Sequence, residues 1–184
     1  MNIKVAFAPL VLAICLSCGT EQQGSVTGSI DKKKGPAGLY KLYISENQGP
    51  DGRWHEDPWT TGGDGYLLYD GLGHMAAFIT PEGYNDYTWL DEESSINAEQ
   101  VQTKVDSMSL DELRSAVVHF SSDYVYLANY SIEDTADVVV HDRFASSLPS
   151  IPGTKVRRAF IFSGDTLILR ILNGNRRLKW IRQE

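Results

Sequence analysis

Apolar and polar positions alternate in short segments along most of the chain after residue 37, with the period of two that is typical of β-strands. The stretch "GLYKLYIS" at residues 38–45 predicts a first strand, and "GYLLYDGLGHMAAFIT" at 65–80 predicts two strands joined by a turn at Asp70-Gly71-Leu72-Gly73. The same pattern predicts five further strands, over residues 123–132, 137–145, 155–162, 166–172 and 177–182. Their connections are mostly short and rich in turn residues, which favours antiparallel neighbours.

One segment has the helical period instead. In "SLDELRSAVVHFS", Ser109 and Glu112 have the spacing of a capping box, and apolar residues follow at helical intervals. Residues 81–108 show no clear period, so the sequence predicts one short helix. Eight antiparallel strands close most economically into an up-and-down β-barrel, because closure removes the exposed sheet edges. An all-β barrel of this size has room for one small ligand, and a two-sheet sandwich is the alternative.

The first 18 residues have the pattern of a secretion signal, with Lys4 followed by an apolar run over residues 5–16 that is too short to span a bilayer comfortably. Both cysteines of the chain, Cys15 and Cys18, lie in this segment. The sequence "CLSC" before Gly19 resembles the cleavage box of bacterial lipoproteins, in which Cys18 would become the lipidated first residue. We therefore expect a lipoprotein-type signal at residues 1–18. An ordinary cleaved signal and a buried N-terminal helix are the alternatives.

Residues 19–37 are polar, rich in Gly, Ser and Lys, and free of aromatic residues, which predicts a flexible tether before a barrel domain at residues 38–184. Secretion and lipidation together predict a protein anchored in the bacterial cell envelope, with the membrane as a partner through its lipid. The net charge is −7, and no dense run of Lys and Arg occurs. Nucleic acid is therefore excluded as an expected partner.

Two predicted strands carry charged residues where an apolar face is expected. In "VVVHDRF" at residues 138–144, His141 alternates with Val139 and Arg143, whereas the opposite face is more apolar and includes Phe144. The count of apolar residues therefore favours the face without His141 as the inner one. In "KVRRAFIF" at 155–162, Arg158 shares its face with Val156, Phe160 and Phe162, so this arginine is expected to point inward.

An ordered series of residues resembles the lipocalin-like domain proteins of bacteria and fungi, which are calycin-type barrels. The matching positions, spread over residues 38–184, are Gly65-x-Leu67-x-Tyr69, Gly73-x-Met75-x-Ala77, Tyr126-x-Ala128-x-Tyr130-x-Ile132, His141, Pro149, Gly153-Thr154, Arg158, Gly164-Asp165, Leu167-x-Leu169 and Leu178-x-Trp180-x-Arg182. Two positions depart from the family pattern: Tyr40 stands where tryptophan is usual, and Asp142 replaces the second histidine of a pair. The resemblance implies that His141 points into the barrel and that Tyr40 closes one barrel end with Arg182 stacked on it.

Five residues are candidates for contact with a ligand in the lumen. Each is a polar side chain that falls on the expected inner face of a strand: Tyr69, Tyr126, Tyr130, His141 and Arg158. A few polar groups among aromatic and aliphatic residues are typical of small-molecule sites. The alternative is that the tyrosines bond to each other, that His141 is a satisfied core residue and that Arg158 is paired structurally. Trp54, His55 and Trp59, in the long loop before residue 65, could cap the open end or pack beneath it.

The sequence indicates no catalytic residue, cofactor or metal site. The four histidines are scattered, and no nucleophile elbow, phosphate-binding glycine loop or suggestive carboxylate pair occurs. The favoured function is the binding of a small, partly hydrophobic molecule in the lumen. One alternative is a calycin-type isomerase, cyclase or hydratase using His141 or a tyrosine as base beside Arg158. The other is a structural envelope lipoprotein whose barrel is filled by side chains.

Overall fold

The fold was examined in a computed structural model, which describes residues 35–92, 96–133 and 137–184. These ranges contain nine strands and no cis peptide bond. The strands are β1 (Gly38–Gln48), β2 (Trp54–Glu56), β3 (Asp64–Tyr69), β4 (His74–Thr80), β5 (Tyr124–Ile132), β6 (Val138–Ser146), β7 (Thr154–Ser163), β8 (Thr166–Ile171) and β9 (Arg176–Arg182).

Eight of the strands form a closed antiparallel barrel in sequence order. Strands β3 to β9 pair one after another in sequence order, and β1 pairs with both β3 and β9, which closes the sheet. The predicted eight-stranded up-and-down barrel is therefore confirmed. The ninth strand, β2, was not predicted. It extends β1 by pairing Asn47 with His55, and it has only three residues in a segment rich in Gly, Pro and Trp, which is too short for alternation to be recognised.

The described residues between β4 and β5 include two α-helices, so the prediction of a single helix is wrong. The predicted helix is α2 (Leu110–Ser121), and its capping box between Ser109 and Glu112 is present. The unexpected helix is α1 (Ala98–Ser107), which Asn97 caps at its N-terminus. It buries none of its residues, and its apolar side is limited to Ala98, Val101 and Val105, which is a weak helical pattern. None of the helices in the described ranges is long and apolar enough to cross a membrane.

Two single turns of 3-10 helix complete the described structure. One follows β2, at Pro58–Thr60, and the other lies between β4 and α1, at Tyr84–Asp86. The first turn is fixed by Asp57, whose buried carboxylate accepts a hydrogen bond from the Trp59 backbone amide at 3.2 Å. This turn brings the Trp59 indole against the end of the barrel.

The barrel has two distinct ends, which we call the Tyr40 end and the Trp59 end. The Tyr40 end is where β1 begins and β9 finishes. Tyr40 is fully buried there, the Arg182 guanidinium lies 4.8 Å from its ring centroid, and Arg182 Nη2 donates to the Tyr40 hydroxyl at 2.6 Å. The predicted closure of one end by these two residues is confirmed. Arg182 also donates to the Ala37 carbonyl at 2.9 Å, and Pro36 beside it is buried.

Gly38 makes this arrangement possible. Its φ is +140°, and a Cβ at this position would meet the Arg182 guanidinium. A side chain at residue 38 would therefore be strained in the backbone and would displace the arginine. The Trp59 end lies opposite, where β1 finishes and β9 begins at Arg176.

The inward-facing residues of the strands form one core of aromatic and aliphatic side chains, which includes Leu67, Tyr126, Leu167 and Trp180. On β6, Val139 and His141 are fully buried, whereas Phe144 leaves 54% of its surface exposed. His141 therefore points inward, as the family resemblance implies, and the face favoured by the apolar count points outward. The count fails because the outer wall of this barrel carries large apolar residues of its own.

Candidate ligand site in the barrel lumen

A cavity of about 180 Å³ occupies the half of the lumen nearer the Trp59 end. Most of its wall is apolar, because alternate residues of β3, β4, β8 and β9 point inward and are aliphatic or aromatic. The apolar side chains on this wall are Leu67, Ala77, Ile79, Leu169, Ile171, Leu178, Trp59 and Trp180. The polar ones are Tyr124, Tyr126, Arg158 and Arg176. An apolar wall with a few convergent polar groups is the usual construction of a small-molecule site.

His141 lies beneath this cavity, between two tyrosines. Its Nε2 is 2.7 Å from the Tyr69 hydroxyl, and its Nδ1 is 2.9 Å from the Tyr126 hydroxyl. Burial, together with the nearby positive charges of Arg158 and Arg143, lowers the pKa of His141 to about 3. The imidazole is therefore neutral at physiological pH, with one nitrogen donating and the other accepting. Both nitrogens are used by the tyrosines, and His141 does not reach the cavity wall.

Arg158 carries a positive charge on the cavity wall. Only 7% of the residue is exposed, and its guanidinium lies within hydrogen-bonding reach of the Tyr126 hydroxyl. Burial acts to lower the pKa of Arg158, but Tyr126, Tyr124 and Tyr69, which ionise at the high pH where an arginine would titrate, outweigh burial and raise that pKa. The guanidinium thus remains charged. Within the described ranges, no ion pair joins Arg158 to a carboxylate.

The two tyrosines of the polar wall differ in their hydrogen bonding. Burial raises the pKa of Tyr126 to about 12, and its hydroxyl bonds to His141 beside the Arg158 guanidinium. Tyr124 accepts a hydrogen bond from Arg143 Nη1 at 3.0 Å. A phenol that accepts in this way still has its own hydrogen to donate. Tyr124 is therefore a free donor on the wall as far as the described contacts go.

Arg176 and Trp59 form the wall at the Trp59 end. Arg176 Nη2 lies 2.7 Å from the buried Asp57 carboxylate, and its guanidinium is 5.3 Å from the Trp59 ring centroid. The Trp59 indole N–H donates to the Ser122 carbonyl at 3.1 Å, which ties this end of the barrel to the residue after α2. Unlike Arg158, Arg176 has a carboxylate partner. Asp57 holds both the arginine and the turn that carries Trp59.

The sequence profile of the lipocalin-like domain family matches residues 37–181. The chain belongs to this family. The match covers every barrel strand, apart from Arg182 at the end of β9. Comparison with curated proteins and with solved structures gave no match.

The lipocalin-like domain brings the five candidate residues together, in two layers. Tyr126 and Arg158 lie on the cavity wall. Tyr69 and His141 lie beneath it, and the half-buried Tyr130 stacks edge-on against Tyr69 with ring centroids 4.9 Å apart. Cys18, the predicted lipidation site, lies outside the described residues.

Some residues of the wall were not singled out from the sequence. Arg176 and Trp180 alternate with Leu178 on β9, so the same period of two that places Arg158 inside would have placed them inside as well. Of the three loop residues considered as a cap, only Trp59 reaches the cavity. Trp54 packs on the outside, where the Arg177 guanidinium lies 4.1 Å from the Trp54 ring centroid. His55 is exposed. No cluster of three potential metal ligands occurs in the described part of the chain.

Proposed function

We propose that this lipocalin-like domain binds a small, partly hydrophobic molecule in its lumen. The observation that carries the proposal is the cavity, which remains inside a closed barrel and has an apolar wall with a few polar groups at one side. A barrel filled by its own side chains, as a purely structural protein would have, would leave no such space. The volume of about 180 Å³ lies below the roughly 300–1,000 Å³ that is usual for drug-sized ligands, so the ligand is small.

Filling the cavity should abolish binding without disturbing the fold. Ala77 is buried on the cavity wall, whereas Ala76, its neighbour on β4, points outward. We expect Ala77→Leu to weaken the binding of a neutral ring compound, benzyl alcohol, by at least about tenfold, because the added side chain occupies the space of the ligand. Ala76→Leu should bind as the unchanged protein does. Isothermal titration calorimetry measures the affinity, and circular dichroism checks the fold of both variants.

If Ala77→Leu and Ala76→Leu bind benzyl alcohol with equal affinity, that ligand binds outside the lumen. Failure of the unchanged protein to bind any ring-sized compound would contradict the proposed function itself. The two results are therefore distinct.

The geometry gives less support to catalysis in the same lumen. A general base near neutral pH needs a pKa close to 7 and access to the substrate. His141 has a pKa of about 3, both of its nitrogens are bonded to tyrosines, and it is separated from the cavity by Tyr126. Its arrangement is that of a core histidine that orients two phenols.

We further propose that the protein acts outside the cytoplasm, anchored to the bacterial envelope by a lipid on Cys18. The support is the N-terminal sequence, in which Lys4, the apolar run and "CLSC" occur in the order of a lipoprotein signal. The barrel would then hold its ligand beside a membrane to which it is tethered.

Cys18→Ser should move the full-length protein from the membrane fraction to the soluble fraction, because lipidation needs that thiol. Cys15→Ser is the matched control, three residues away in the same segment, and should leave the protein in the membrane fraction. Fractionation of cells expressing each variant, followed by immunoblotting, measures the outcome. Membrane association that survives Cys18→Ser would contradict the anchor.

A further inference from the structure

The charges around the lumen have the opposite sign to the charge of the whole chain. The net charge of the protein is −7, yet the charged residues on the cavity wall are Arg158 and Arg176, and Arg143 lies just behind Tyr124. No Asp or Glu belongs to the wall as described. A low-dielectric cavity strengthens the effect of such charges on anything inside it.

Among the described residues, neither Arg158 nor Arg143 has a carboxylate partner, and of these two only Arg158 lies on the cavity wall. Arg176 is neutralised by Asp57, and on the outer surface Arg157 is bonded by two nitrogens to Glu133, at 2.7 and 2.6 Å. Arg158 is more deeply buried than either, and its neighbours are neutral phenols. A guanidinium removed from water in this way is stabilised best by an anionic group in contact with it. The protein itself does not supply that group within the described residues.

The shape of the donors favours a carboxylate over other anions. The guanidinium presents parallel N–H groups in one plane, which match the two oxygens of a carboxylate. The Tyr124 hydroxyl, also on the wall, supplies a further donor. Of the two arginines on the wall as described, only Arg158 lacks a carboxylate partner. It can therefore neutralise one negative charge on a ligand.

The size of the cavity limits the rest of the ligand. An apolar protein cavity of about 150 Å³ holds one benzene molecule. The cavity here, at about 180 Å³, has room for one such ring and little more than a small polar group. The apolar side chains of Leu67, Ala77 and Leu169 line the part of the wall that a ring would contact.

We propose that the lumen binds a small aromatic or cyclic monocarboxylate, with its carboxylate on Arg158 and its ring against the apolar wall. This inference rests on the proposed function and adds the chemical class of the ligand. A long acyl chain does not fit the space. A phosphate, which carries more charge, would leave part of that charge unpaired.

The test compares three compounds that share a ring and differ in charge: benzoate, benzamide and benzylamine. Calorimetric titration of the full mature protein at pH 7 should give an affinity for benzoate at least about tenfold higher than for benzamide, and no binding of benzylamine. Arg158→Met should reduce the affinity for benzoate to that for benzamide, and should leave the affinity for benzamide unchanged within about twofold. Arg157→Met, a change of the adjacent outward arginine, should alter neither.

Each other result overturns the inference in an identifiable way. If benzamide binds as tightly as benzoate, the ligand class is wrong but the proposed function stands. If benzoate binds equally well to Arg158→Met, the assigned contact is wrong. Tight binding of decanoate would overturn the size limit. If none of the ring compounds binds, the inference and the proposed function fail together.

Discussion

Replacement of Arg158 by methionine should raise the free energy of unfolding of the ligand-free barrel by about 1 to 4 kcal/mol. The guanidinium is buried among phenols and apolar side chains. No carboxylate of the described residues offsets the free-energy cost of removing it from water. Methionine has a similar length, and its flexible side chain can fill the same space. Tyr126 loses the neighbouring guanidinium in the variant but keeps its hydrogen bond to His141. Urea or thermal unfolding of the apo protein measures the change.

Arg157→Met is again the matched control. Arg157 is exposed and bonded to Glu133 on the outer surface, so its replacement should change the stability little. A loss of stability in Arg158→Met would contradict the prediction. A loss of about 3 to 5 kcal/mol in Arg158→Met would mean that the arginine belongs to a structural pair, because removal of one partner leaves the other buried and unpaired.

Acid should destabilise the barrel through His141. The pKa of this residue falls from the usual 6.5 to about 3 in the folded state, mainly because burial disfavours the charged imidazolium. Between these two values the unfolded chain binds more protons than the folded one, so the stability is full above pH 6.5 and falls as the pH decreases toward 3. The expected loss is about 1.4 kcal/mol per pH unit, and about 5 kcal/mol in all.

His141→Gln isolates this contribution. Glutamine can donate to one tyrosine and accept from the other but does not titrate in this range. Denaturant unfolding at pH 7, 6, 5 and 4 should show a smaller loss of stability in the variant than in the unchanged protein. Carboxylates such as Glu46 and Asp70, whose pKa values are lowered, contribute to acid unfolding in both proteins, so the difference between the two curves belongs to His141.

The groups that face His141 give a second check on the same prediction. They are the phenols of Tyr69 and Tyr126 and the guanidinium groups of Arg158 and Arg143. Because the positive charge of Arg158 also lowers the pKa of His141, Arg158→Met should make the loss of stability in acid smaller. Identical pH curves for His141→Gln and the unchanged protein would contradict the assignment of acid sensitivity to this histidine.

The barrel itself could be predicted from sequence because its strands alternate clearly and its turns are short. The elements that escaped prediction lack such a signal. Strand β2 has three residues, and α1 has only Ala98, Val101 and Val105 as apolar residues, none of them buried. Helix α2 was predicted because the capping box marks its first residue, independently of any packing.

For the site, the period of two placed Arg158 and Tyr126 on the inside, where the structure has them. It could not place His141, because outward residues such as Phe144 and Ile161 are as apolar as a core. The Asp57–Arg176 pair joins residues 119 positions apart (176 − 57) and depends on how the 3-10 turn meets the start of β9. A contact of that kind has no local pattern in a single sequence.

The pairing of β1 with β9 bears on how the protein folds. Tyr40 pairs with Arg182, and Asn47 with Arg176, so closure of the barrel joins the two extremes of the domain. Such a high contact order predicts slow folding, and the lumen cannot exist before the final strand has been synthesised and has joined β1. Until then Arg158 and His141 face water, and closure must dehydrate both. A ligand that binds only the closed barrel stabilises it relative to the unfolded chain, so the proposed monocarboxylate would shift the folding equilibrium toward the closed barrel.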